Sequence, residues 1–137
     1  MFGIAIPVTD KGFINAEDII KKHLEVGNEF YFSTQYNVDK NKCSQINLIL
    51  LYNKSKDIYY MGDIESACGK SEAWIPDDAA EFSPTEYANV PKPTWIRVRN
   101  LKKVRLSEDI SKYHRMNGEN MTEYINRTQR PNLFYFK

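Results

Sequence analysis

The sequence predicts an α+β domain in which a small curved sheet or open β-barrel is flanked by short helices. Residues 94–106 alternate apolar and basic side chains at period two, the pattern of a half-buried strand. Residues 46–52 and 58–65 are apolar runs on either side of a polar turn, which is typical of a hairpin. The 137 residues include nine Tyr and seven Phe, so residues 1–137 are expected to fold as a single domain around their own core.

The beginning of the chain predicts a strand, a helix and a second strand. Residues 2–8 are mostly apolar and are expected to form the first strand. Asn15 has the character of an N-cap, because acidic residues follow it in what would be a first helical turn. The helix should run to about Val26, where Gly27 ends it. The second strand is expected at residues 30–32.

A polar segment, residues 33–37, follows that strand. Residues 39–45 are also polar and are compatible with either a loop or one helical turn. The central hairpin comes next, and Gly62 lies in its returning strand. A glycine inside a strand indicates a bulge or the close approach of another backbone.

Residues 67–92 are expected to form a long acidic loop, because they lack periodicity and contain three prolines. Residues 57–90 carry a net charge of −7 and residues 91–137 carry +7, although the whole chain is +1. Loops of this length are often functional. A chain with such separated charges can present one basic surface while staying close to neutral overall.

The strand predicted at residues 94–106 has two different faces. Its inner face carries Ile96, Val98, Val104 and Leu106, and a bulge is expected near Asn100. Its outer face, here named the basic strand face, carries Trp95, Arg97, Arg99, Lys103 and Arg105.

The chain then predicts a short helical turn, a helix and a last strand. Residues 107–109 are expected to cap the helical turn. Asn120 starts a helix that runs from Met121 to about Arg127, and residues 133–136 form the terminal strand. The complete predicted order is β-α-β-β-β-loop-β-α-β.

The sequence contains no motif for metal binding or catalysis. His23, His114, Cys43 and Cys68 lack the close spacing of metal ligands, and His23 is expected to be a hydrogen-bonded histidine at the edge of the core. There is no glycine-rich phosphate loop and no nucleophile motif. We therefore expect a protein without cofactor or metal, and we expect binding rather than catalysis.

The spacing of the cysteines and the apolar residues at the start of the chain indicate the cellular compartment. Cys43 and Cys68 form no close pair, and the apolar start of the chain is too short for an export signal or a membrane span. A cytoplasmic protein with free thiols and no membrane contact is expected.

Basic residues with aromatics between them favour nucleic acid as the partner. The residues expected to meet the phosphate backbone are Arg97, Arg99, Lys103, Arg105, Arg127 and Arg130. The competing interpretation is structural, because charges that alternate out of a strand usually form a solvated face. In that interpretation Asp63 and Glu65 pair with Arg97 or Arg99 across the sheet.

The hairpin resembles a known family. Residues 50–64, with the sequence Leu50-Leu51-Tyr52-Asn53 before the turn and Tyr60-Met61-Gly62-Asp63-Ile64 after it, are similar to the strand, turn and strand of PUA-like domains, most closely the EVE and ASCH branches. The next strand of those domains is similar to residues 93–98, which follow the acidic stretch. The closing helix and strand also suit the topology of those domains.

This resemblance implies a small barrel with a pocket that holds a modified base between aromatic and polar groups. Carried onto this sequence, the polar part of the pocket would be formed by Ser33, Thr34, Tyr36 and Asn37, and its aromatic walls by Trp74 and Trp95. The alternative class is a protein-interaction or inhibitor module. It would use the acidic residues 72–90 and the basic strand at residues 95–105, and the acidic part could imitate a nucleic-acid backbone.

Overall fold

The computed structural model describes residues 1–137, which form six strands and five short helices. The strands are β1 (Phe2–Pro7), β2 (Glu29–Thr34), β3 (Ile46–Asn53), β4 (Ile58–Trp74), β5 (Lys92–Lys103) and β6 (Phe134–Phe136). The helices are α1 (Ala16–Val26), α2 (Lys40–Cys43), α3 (Ala79–Phe82), α4 (Thr85–Ala88) and α5 (Met121–Arg127). The predicted α+β class and the order of its main elements are confirmed.

The six strands form one open sheet in the order β2-β5-β4-β3-β1-β6. β1 and β3 are parallel, and all other neighbours are antiparallel. The predicted β3–β4 hairpin lies at the centre of the sheet. β6 pairs with β1, and the ring of Phe136 leaves no room for a Cβ on Gly3. The two ends of the chain are therefore neighbours in the sheet.

The sheet buries side chains on both faces. α1 covers one face, where Ile20 shares a core with Ile49 and Leu51. α5 covers the other face, where Ile125 shares a core with Leu50 and Tyr52. Since successive residues of a strand point to opposite sides, β3 supplies both cores.

Local signals in the sequence set the ends of the two longer helices. The Asn15 side chain accepts a hydrogen bond of 2.9 Å from the Asp18 backbone at the start of α1. The Asn120 side chain accepts one of 3.2 Å from Glu123 at the start of α5. Both predicted N-caps are confirmed. No helix is both long enough and apolar enough to cross a membrane.

Gly62 and Asn100 mark an irregularity between β4 and β5. The pairing register shifts around Gly62, and a Cβ there would lie 2.9 Å from the Arg99 carbonyl oxygen. Asn100 has φ +57, the left-handed conformation that asparagine tolerates better than most residues. The bulge and the close backbone approach predicted at these two positions are confirmed.

The prediction of a loop at residues 67–92 is wrong. β4 continues to Trp74, and α3 and α4 occupy much of the remainder. The second half of β4 has little alternation of apolar and polar residues. It forms because its backbone pairs with the start of β5, with Cys68 opposite Trp95 and Trp74 opposite Lys92. Residues 107–109 form a turn without a helix, and β5 ends at Lys103 rather than at residue 106.

Candidate functional site

The basic residues predicted to meet phosphates are mostly held in ion pairs. Arg97 pairs with Glu29 and Asp78, Arg99 with Glu65, Lys103 with Glu17, Arg105 with Glu108, and Arg127 with Glu119. Arg130 is exposed and pairs with no carboxylate. Ion pairing does not remove these charges, but each of the five has a carboxylate that competes with a phosphate.

Part of the basic strand face is covered by the acidic segment, defined here as residues 75–90. The Arg97 guanidinium carbon lies 3.7 Å from the centre of the Phe82 ring, and Asp78 accepts a hydrogen bond of 3.2 Å from the same guanidinium. The Tyr31 hydroxyl donates a hydrogen bond of 2.8 Å to Asp78. The acidic segment is thus attached to the sheet in part by Arg97, one of the residues expected to bind a phosphate backbone.

Trp95 is a core residue, so the exposed position expected for it is wrong. It lies on the same face of β5 as Arg97, as the alternation predicts, but this part of the face is covered. Only 1% of the Trp95 surface is exposed. Its indole N–H donates to the carbonyl oxygens of Trp74 and Lys92 at 2.8 and 3.1 Å, which ties the end of β4 to the start of β5. Trp74 is half-buried, and the Lys70 ammonium lies 4.1 Å from its ring centre. A base cannot stack on Trp95 without displacing protein.

A cavity of about 280 Å³ lies where the ends of β1 and β2 approach each other. Its lining includes Ser33, Thr34 and Tyr36, three of the predicted polar residues. β1 and β2 are four positions apart in the strand order, which would separate them by about 19 Å in a flat sheet. Because both line one small cavity, the sheet must curve strongly around α1.

Asn37, the fourth predicted polar residue, does not line this cavity. It lies in a larger groove of about 1070 Å³ on the other side of the same segment, together with Lys40 and Lys70. The smaller cavity is named the pocket from here on. The groove is lined mainly by polar residues, whereas the pocket also has aromatic walls.

Two buried threonines shape the wall that carries Tyr36. Thr94 donates a hydrogen bond of 2.8 Å to the Tyr36 carbonyl oxygen and accepts one of 3.2 Å from the Val38 backbone. Thr34 accepts a further bond of 3.2 Å from the Tyr36 N–H. The backbone on both sides of Tyr36 is therefore fixed, while its side chain stays 42% exposed.

His23 forms part of the pocket wall as a neutral imidazole. Its Nδ1 lies 2.7 Å from the Ile19 carbonyl oxygen, to which it donates, and its ring packs 5.0 Å from the Tyr87 ring. Burial lowers the pKa of His23, so the ring is uncharged at neutral pH. With the proton on Nδ1, Nε2 remains as a hydrogen-bond acceptor. The hydrogen-bonded histidine expected at the core edge is confirmed.

Two lysines at the pocket have no carboxylate partner. Lys11 and Lys92 both line the pocket, and the Lys11 ammonium lies 5.8 Å from the centre of the Tyr87 ring. Burial, and then the charge of Lys11, lower the pKa of Lys92. Two positive charges that repel each other favour the arrival of an anion. Lys11, Lys92 and Tyr36 are together named the pocket mouth.

The sequence analysis did not identify Lys11, Lys92, His23 or Tyr87 as site residues. They come from the turn between β1 and α1, from α1, from α4 and from the start of β5. No spacing along the chain connects them, and only the curvature of the sheet brings them together. The polar composition of residues 33–36 was the one local signal for this site.

Comparisons with protein families, with curated proteins and with solved structures found no match to this chain. No group of three or more His, Cys, Asp or Glu side chains is placed to hold a metal ion. A function must therefore be inferred from the chemistry of the pocket and its mouth.

Proposed function

We propose that this domain binds nucleic acid, with one base in the pocket and the adjoining phosphates at the pocket mouth. The observation that carries the proposal is the placement of two lysines without carboxylate partners beside a cavity with aromatic and hydrogen-bonding walls. The proposed role is binding rather than catalysis. A relationship to PUA-like domains, whose EVE relatives hold a modified base, is part of the same proposal.

The size of the pocket favours a single base. Pockets for drug-sized ligands range from about 300 to 1,000 Å³. A cavity of about 280 Å³ is just below that range and suits one flat ring system better than a folded peptide segment.

The chemistry of the walls also favours a base. Tyr36 and Tyr87 offer aromatic faces, and stacking on such faces is how proteins hold unpaired bases. His23 offers an acceptor, and the Ser33 hydroxyl can both donate and accept. These neutral groups match the polar edge of a base, while Lys11 and Lys92 at the mouth face the phosphates. Asp10, the one carboxylate in the lining, is already paired with Lys56 and accepts a hydrogen bond from the Ala16 backbone.

The test is a titration of labelled single-stranded DNA and RNA oligonucleotides at several salt concentrations. Lys11→Gln plus Lys92→Gln removes two charges from the pocket mouth, and Arg99→Gln plus Arg105→Gln removes two charges from the basic strand face. The first variant should flatten the dependence of log affinity on log salt by about 0.7 for each lysine lost. The second variant is the matched control and should keep the wild-type slope.

Two results would contradict the proposal. Equal slopes for both double variants would remove the phosphate role from the pocket mouth. Absence of oligonucleotide binding near physiological salt would favour the protein-interaction alternative, in which reversing the charges of residues 72–90 or 95–105 releases a protein partner. Comparing unmodified with base-methylated oligonucleotides in the same assay then tests whether the pocket reads a modification.

A further inference from the structure

The turn between β1 and α1 carries the most exposed of the large apolar side chains. Lys11 and Ile14 exchange backbone hydrogen bonds of 2.8 and 3.0 Å, which close a two-residue loop formed by Gly12 and Phe13. Gly12 has φ +62 and Phe13 has a negative φ, the pattern of a type II′ turn with glycine in its first central position. The Phe13 side chain is 109% exposed, so it packs against nothing in the protein.

This turn is attached to the pocket mouth. Lys11 opens the turn and also lines the pocket. Two residues of extended chain span at most about 7 Å, so the tip that carries Phe13 lies within that distance of Lys11. An aromatic ring without packing partners therefore lies next to an unpaired lysine at the edge of the pocket.

We propose that Phe13 stacks on the base next to the one in the pocket, so that the site holds two successive nucleotides of a single strand. This inference rests on the proposed function. Lys11 belongs both to the pocket lining and to the Phe13 turn, so its ammonium is available to the phosphate joining two such nucleotides. Stacking on an aromatic ring requires one exposed face and no surrounding apolar surface, which is what an isolated phenylalanine on a tight turn provides.

Removing Phe13 should not disturb the fold, because the side chain has no contacts to lose. We would titrate wild type and Phe13→Ala with nucleoside monophosphates and with single-stranded tetranucleotides. Phe13→Ala should weaken tetranucleotide binding about tenfold, within the range of one stacking contact, and should change mononucleotide binding less than about twofold. Phe13→Trp should keep the tetranucleotide affinity. Met116→Ala is the control: it removes another exposed apolar side chain, 48% exposed, and should leave the affinity for both ligands unchanged.

The outcomes separate this inference from the proposed function. If wild type binds mononucleotides and Phe13→Ala leaves tetranucleotide binding unchanged, the stacking role is wrong and the pocket proposal stands. If wild type binds neither ligand, the proposed function itself is wrong. An equal loss for both ligands would make Phe13 part of the first base site and would overturn the two-nucleotide site. Phe13-dependent binding to phosphatidylserine-containing vesicles, with tetranucleotide binding unaffected, would also overturn it in favour of a membrane contact.

Discussion

The basic strand face and the pocket mouth both carry positive charges, but they differ in what surrounds those charges. On the strand face Arg97, Arg99 and Lys103 each contact a carboxylate of the same chain. At the pocket mouth Lys11 and Lys92 have no such partner. A phosphate approaching the strand face has to replace an existing ion pair, whereas one approaching the mouth relieves a repulsion between two cations.

The difference shows that the net charge of a segment does not locate a binding surface. Residues 91–137 carry +7, yet Asp78 and Glu65 from the acidic residues 57–90 neutralise part of that charge in the folded protein. The pocket mouth draws its two lysines from distant positions, Lys11 and Lys92, and no run of charged residues indicates it in the sequence. Charge that remains unpaired after folding is the better guide.

The largest expected effect concerns Trp95, the buried member of the basic strand face. Trp95→Ala should lower the free energy of unfolding by about 3–5 kcal/mol, because it empties a fully packed site and removes two hydrogen bonds. Urea unfolding followed by circular dichroism measures this effect. Unchanged stability combined with weaker oligonucleotide binding would instead make Trp95 a binding residue.

Arg97 tests whether the strand face is a structural contact. Arg97→Gln should lower the free energy of unfolding by about 1–3 kcal/mol, because it removes charged hydrogen bonds that are partly shielded from water. Hydrogen exchange should increase most in residues 75–90, which Arg97 holds through Asp78 and Phe82. Arg105→Gln is the control, since the Arg105 side chain is 77% exposed and its loss should leave exchange unchanged. The same exchange rates for residues 75–90 in both variants would show that Arg97 does not anchor this segment.

At Tyr36, in the pocket mouth, we expect a loss of binding without a loss of stability. Tyr36→Ala should weaken oligonucleotide binding by about 1–3 kcal/mol, the range of one stacking contact, while changing the free energy of unfolding by less than about 0.5 kcal/mol. Tyr36→Phe keeps the ring and should bind as wild type does. A loss of stability as large as the loss of binding would show that Tyr36 acts through the fold.

The smallest expected effect is a change in the pH dependence of stability, and it concerns Glu119, which pairs with Arg115 and Arg127. Hydrogen bonds from Arg127 and Arg115 lower the pKa of Glu119 to about 2. Its unfolded pKa is about 4.3, so its contribution to stability is present above that pH and is lost as the pH falls towards 2. The difference in thermal midpoint between wild type and Glu119→Gln should therefore shrink between about pH 6 and pH 2. A constant difference over that range would contradict the pairing.

Much of the fold could be predicted because its signals are local. Asn15 and Asn120 cap helices through their own side chains, and Asn100 adopts the conformation that its bulge requires. The second half of β4 could not be predicted in this way. Its residues have little alternation, and pairing with the start of β5, far along the chain, supplies the backbone hydrogen bonds.

The residues of the site also divide into those with a local signal in the sequence and those that only the fold brings together. Ser33, Thr34 and Tyr36 were assigned to a base pocket from the resemblance to PUA-like domains, and all three line the cavity for which a binding role is proposed. His23 and Lys92 reach the pocket only because the sheet curves around α1. Partners that come from distant elements leave no periodic pattern in a sequence, so they cannot be found before the topology is known.

The pairing of β6 with β1 also affects the order in which this chain can fold during synthesis. β1 is translated before β6, one of its two neighbours in the sheet, and residues 8–133 lie between the two strands. At about 5–20 residues per second, the β1 edge waits several seconds or more for that partner. During this interval the edge presents unpaired backbone groups and the uncovered Gly3, a condition that favours pairing with another chain.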